Sequence, residues 1–197
     1  MRVHLSAICL VFGTTLLAAT AQTGAQSPTP VGTVVAPSKA IDSELSIIEG
    51  EMMSAVKAMP EDKFDFAPSA AIFAPGQKTD FATVRTFAQQ ATHVAQANYF
   101  FYMAVSGLKP DVNVAGFSKL TKKDDVVAAL AGSFAFARKA IATITPANAF
   151  ETVALEEGGI QTRATAAQFG ISHANDHYGQ MVEYLRMNGI VPPASAK

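Results

Sequence analysis

Thr162-Arg-Ala-Thr-Ala-Ala-Gln-Phe-Gly170-Ile-Ser-His173-Ala-Asn-Asp-His177-Tyr-Gly-Gln180-Met-Val-Glu-Tyr184-Leu-Arg-Met-Asn188 is the stretch on which the fold turns. At about 100° per residue, Ile171, Ala174, Tyr178, Met181 and Leu185 form an apolar stripe, the mark of a helix with one face in a core. Beside that stripe, Ala166, Gly170, His173, His177, Gln180 and Tyr184 fall on a second narrow arc. Packing alone would fill such an arc with Leu or Ile; here two small residues leave room and four carry polar or metal-binding groups. Gly189 suits a left-handed stop and Pro192-Pro193 bars continuation, so the helix closes at about Asn188.

Working back along the chain, the same period recurs three more times. Ile41, Leu45, Ile48, Met52, Ala55 and Met59 repeat at three- and four-residue steps and predict a helix from near Ser38 to Met59, ahead of Pro60. A second helix is expected over 80–106, with Thr79 or Asp80 as its cap and Gly107 after its end. A third begins at Thr121, which with Asp124 resembles a capping box, and runs to about Ile144 before Pro146. The connection 60–79 carries Phe64, Phe66, Ile72 and Phe73, which a fully solvated loop would not, and is expected to pack over the helices. The segment 147–159 reads as a connection with a short helical turn, and no stretch shows a convincing strand period. Four long helices with longer connections predict an all-α four-helix bundle over 38–193, with a tail at 194–197.

The beginning of the chain belongs to another class. Arg2 and His4 precede an apolar run from Leu5 to Leu17, and Ala19-Thr20-Ala21 offers the small-x-small pattern of a cleavage site. The run is shorter than the roughly 20 residues of a spanning helix, so 1–21 reads as a signal peptide cleaved after Ala21 in preference to an anchor. The expected location is secreted or periplasmic, with no membrane attachment after cleavage. Residues 22–37, rich in proline and small polar residues, read as a flexible linker. The one cysteine, Cys9, lies inside the signal segment, so the mature chain has no disulfide, cysteine nucleophile or thiolate ligand. A formal net charge of −1 and the lack of a basic cluster argue against nucleic acid as a partner.

Of the four histidines, His93, His173 and His177 lie beyond the signal segment. His173 and His177, four apart, share a helix face about one turn apart, a spacing from which two imidazoles can reach one ion. His93, in the middle of the second helix, supplies a third ligand if those two helices face each other. Against this stands the ordinary reading of each histidine as a satisfied core or surface residue. Gln180 and Tyr184 are candidates for the pocket lining or, equally, polar groups at the core rim. The pair lacks the glutamate of His-Glu-x-x-His, since Ala174 follows His173, and no P-loop, Gly-x-Ser-x-Gly or dinucleotide fingerprint occurs.

The run from His173 to Pro193, with its Gly189-Ile-Val-Pro192-Pro193 ending, resembles the closing helix of the DinB-like superfamily of metal-binding four-helix-bundle proteins. Thr83-Val-Arg-Thr-Phe-Ala-Gln-Gln-Ala-Thr-His93 is similar to its second helix, and Asp62-Lys-Phe-Asp-Phe-Ala-Pro68 to the segment after its first. The resemblance spans 41–193 and implies a divalent ion, zinc or nickel, on His93, His173 and His177. Asp176 departs from the pattern, since many relatives carry histidine just before the last ligand. The expected activity is metal-dependent hydrolysis of a small-molecule substrate, with Asp176 and Glu183 as weak candidates for a base. The alternatives are a non-catalytic, stress-associated metal module and a thiol-dependent transferase. Exposed helix faces would also allow a homodimer.

Overall fold

The computed structural model describes residues 29–69, 74–78, 83–156 and 159–196. The chain divides into two units, 1–33 and 34–197. In the first, Thr33 N–H donates to the Pro30 carbonyl at 3.2 Å, closing a turn. The signal segment 1–21, and Ile72, Phe73, Thr79 and Asp80, lie outside the described residues.

The second unit contains α1 (Pro37–Ala58), α2 (Phe87–Ser106), α3 (Lys123–Ile141) and α4 (Arg163–Met187). A hairpin of β1 (Thr152–Leu155) and β2 (Gly159–Thr162) precedes α4. Helix α2 lies against α3 and α4, and α1 against the same two, so α1 and α2 are diagonal across the bundle. Polar pairs fix the directions. Tyr102 of α2 donates to Ala167 O of α4, while Tyr184 of α4 donates to Arg85 O just before α2, so these helices are antiparallel. Arg138 of α3 bonds Asp42 and Glu49 of α1, and Lys123 at the other end donates to Met59 O, so α1 and α3 are also antiparallel. Gln168 donates to Glu44 near the starts of α4 and α1, which run together. The order is therefore up, down, down, up. The 107–122 connection must climb back along α2, and Gln96 Nε2 holds it there through Val114 O at 3.2 Å.

The apolar stripes meet inside. Leu45, Ile48 and Met52 of α1, Phe134 of α3, and Ala174, Met181 and Leu185 of α4 are all fully buried or nearly so. Among the described residues no helix is long and apolar enough to cross a membrane.

Helix α2 starts later than the 80 expected from sequence. Thr86 is its cap: the Thr86 hydroxyl accepts from Gln89 N–H and the Gln89 side chain accepts from Thr86 N–H. Phe87 and Ala88 N–H donate to the carbonyls of Phe66 and Phe64, both at 2.9 Å. With Thr86 as the cap, the N–H groups of the first turn are thus all taken, by the Phe66 and Phe64 carbonyls and by the oxygens of Thr86. Helix α3 likewise begins two residues after Thr121, at Lys123, with no side-chain cap, and ends at Ile141, short of Ile144. The hairpin is a further departure from an all-α reading. Thr152 pairs with Thr162 and Leu155 with Gly159, whose φ of +67° suits glycine. Leu155 is buried and anchors the hairpin. The tail also has structure: Pro193–Ser195 form a 3-10 turn against α1.

Candidate metal centre

Antiparallel pairing of α2 with α4 brings the seventh residue of one against the middle of the other. His93, His173 and His177 meet there, each offering a ring nitrogen, and these atoms all lie within 4.8 Å of one another. His93 Nε2 and His173 Nε2 are 3.2 Å apart. Two nitrogens on one tetrahedral zinc at ~2.0–2.1 Å are separated by ~3.3 Å, so this spacing fits a shared ion. The three ring centroids are 4.5–5.1 Å apart. Among the described residues no carboxylate joins the cluster. These histidines are positioned to bind a metal ion, and neutral nitrogen donors suit a divalent one.

A chain of amides fixes His177. Its Nδ1 lies 2.6 Å from Gln90 Oε1, Gln90 Nε2 donates to Gln180 Oε1 at 2.8 Å, and Gln180 Nε2 donates to Asp176 Oδ2 at 3.0 Å. An ionised carboxylate can only accept, so Asp176 sets the direction of each amide in turn. The result is a proton on His177 Nδ1 and a lone pair on Nε2, the state a metal ligand requires. His173 has no such support. Its Nδ1 is buried without a hydrogen-bond partner, and the Phe101 ring, 5.3 Å away and 73° to it, holds the imidazole by packing.

Burial lowers the His173 pKa, opposed by Asp176 and aided by Arg85. Burial, and then the neighbouring His173 and His93, push His177 down to about 4. Both rings are therefore neutral near pH 7, the form that donates to a metal.

The other expected residues are placed differently. Gln180 is exposed and serves the amide chain. Tyr184 is buried, edge-on to Phe66, and its hydroxyl is held by Arg85 O at 3.0 Å. Glu183 pairs with Arg186 on the surface. Gly170 leaves no vacancy: a Cβ there would meet the Tyr102 ring at 3.0 Å. Gly170 makes room for Tyr102, whose burial, in turn, raises its pKa without consequence for the site.

The open space lies on the other side. A cavity of about 660 Å³ extends from His93 and His173 towards the end of α2. Phe100, Phe101 and Ala104 form one wall, Leu155 of β1 another, with Glu156 beside it. Gln90 and Glu156 were not singled out from sequence. Gln90 lies three residues before His93 and so shares its face, a usable signal; Glu156 sits in a turn and offered none.

Fold and site together define a four-helix bundle, up-down-down-up, with three histidines in the seam of its second and fourth helices. The sequence profile of the DinB superfamily matches residues 44–181, and the chain belongs to that superfamily. The fold is similar to a DinB-like protein of Bacillus cereus ATCC 10987, with a TM-score of 0.63 at 15% identity, covering 79% of this chain and 95% of that one. A candidate DinB family member from Exiguobacterium sibiricum 255-15 gives 0.56, also at 15% identity, over 80% and 95%. No curated protein matches the chain by sequence.

Proposed function

We propose that this chain is an exported, metal-dependent hydrolase whose zinc or nickel ion is held by His93, His173 and His177. The observation that carries the reading is a three-nitrogen cluster that opens on a cavity and has no carboxylate member among the described residues. A structural zinc site normally has four protein ligands, a catalytic one three. His93, His173 and His177 would hold a divalent ion on three neutral imidazoles, where it would supply the Lewis acidity and lowered water pKa used in hydrolysis of a carbonyl or phosphoryl centre. The protein's own part is to keep the rings neutral and aimed. Asp176, Gln180 and Gln90 do this for His177, and Phe101 for His173. Gln180 is thereby a positioning residue, and Tyr184 ties the start of α2 to α4.

Export rests on the signal pattern of 1–21. The test is elemental analysis of the chain from Gln22 onward, without a histidine tag, beside His177→Ala, followed by an ester and amide hydrolysis screen. About one zinc or nickel per chain, lost with any turnover in the variant, is expected. Protein that is metal-free and takes up no added divalent ion would end the reading.

A further inference from the structure

The cavity beside the histidines has a chemical character of its own. Its walls are mostly apolar: Phe100 and Phe101 from α2, Ala104 a turn further on, and Leu155 from β1. Phe100 is 49% exposed and lies at this wall. Phe101 is held edge-on between Phe169 at 5.2 Å and His173 at 5.3 Å, so the aromatic wall is continuous with the histidine cluster. The volume, about 660 Å³, falls in the range of ~300–1,000 Å³ typical of small-molecule sites.

Charge decides what fits. Among the described residues Glu156 is the one charged side chain in the wall, which has no lysine or arginine. Arg85 acts on His173 and His177 from before the start of α2, and Arg163, which donates to Val105 O at α2's other end, is paired with Glu151 and is not part of the wall. At the Glu156 end of the cavity a phosphate, sulfate or carboxylate group would meet a carboxylate and, among the described residues of the wall, no lysine or arginine, whereas at the histidine end it would meet the ion. An ammonium would meet a carboxylate and aromatic faces, both attractive.

We infer that this cavity is the binding site for the apolar body of a substrate whose end remote from the histidines is uncharged or bears an amine, with that end towards Glu156. The inference deepens the hydrolase reading and rests on it only for the word substrate. The recognition elements are Phe100 and Phe101 for the apolar body and Glu156 for the amine.

The probes are three molecules of one shape: 1-naphthylmethylamine, 1-naphthalenemethanol and 1-naphthoic acid. Their binding to the full mature chain is measured by naphthalene fluorescence and calorimetry, in metal-free and zinc-loaded protein. In metal-free protein the amine should bind about tenfold more tightly than the acid, since Glu156 attracts one and repels the other, with the alcohol between. Glu156→Gln should bring amine and alcohol together while leaving the alcohol unchanged; Ala104→Leu, which fills the wall without touching a histidine, should weaken all three. Binding of none of the probes, equal binding of all three, or an amine preference that survives Glu156→Gln would overturn the inference. Zinc content measured on the same samples keeps the two readings apart. Selective amine binding by a chain that takes up no zinc would sink the hydrolase and leave the pocket, and a zinc-loaded chain without selectivity would do the reverse.

Discussion

A histidine ligand is only as good as the atom behind it. At His177 that atom is Gln90 Oε1, 2.6 Å from Nδ1, and Gln90 is itself 2% exposed. A carboxamide has two ends and could turn either one to the ring; if it turned its NH₂, His177 would lose the proton from Nδ1 and carry it on Nε2, where the ion must bind. The carboxylate of Asp176, acting through Gln180, prevents this. Loss of such an outer partner typically weakens metal binding about 10–100-fold, and Gln90→Ala should do so here. Competition with a zinc-binding dye measures it, with circular dichroism as the check on folding. Unchanged affinity in a folded variant would mean that the amide chain orients nothing. His173 supplies the contrast within the same centre, since its Nδ1 is buried with no partner and has no equivalent residue to remove.

The centre is built from two helices, so its geometry is set by where each begins. The Thr86–Gln89 capping box and the carbonyls of Phe64 and Phe66 start α2 at Phe87, which places Gln90 and His93 one turn apart on the face towards α4. Thr86→Ala should cost about 0.5–2 kcal/mol, read as a lower urea midpoint with unchanged slope. A variant as stable as the parent would show that the 64–66 segment holds the start of α2 without the cap. The same element shows what sequence can and cannot carry. The periodicity of α4 and its Gly189 stop are local, and its boundaries stood within a residue of Thr162 and Asn188. The start of α2 was not legible, because Thr79, Asp80 and Thr86 all offer a capping side chain and the choice falls to distant carbonyls. The hairpin escaped for another reason: β1 alternates from Thr152 to Leu155, but four residues cannot be told from a helical turn. Gln90 meets Gln180 and His177 across some ninety residues of chain, a contact no spacing rule reports.

At the scale of the whole molecule, the centre joins the two antiparallel helices α2 and α4, and its ionisation is coupled to folding. An unfolded His177 takes up a proton near its ordinary pKa of about 6.5, whereas burial and the adjacent histidines hold the folded one to about 4. Between these values the unfolded chain binds the proton and the folded chain refuses it. The metal-free protein is therefore at full stability above about pH 6.5, loses stability as the pH falls, and has lost the whole contribution below about pH 4, on the order of 3 kcal/mol. An ion that binds only the folded centre acts in the opposite sense: zinc at a hundred times its Kd should add about 2.7 kcal/mol near neutral pH, or several degrees in Tm for a chain of this size. Calorimetric melting of metal-free and zinc-loaded chain from pH 7.5 to 4 reads both effects. His177→Ala should lose the rise with zinc and flatten part of the acid slope, with the remainder left to His173, whose pKa burial also lowers. An acid slope identical in parent and variant would show that the histidine cluster does not govern acid stability. A zinc-induced rise retained by His177→Ala would place the ion elsewhere in the molecule.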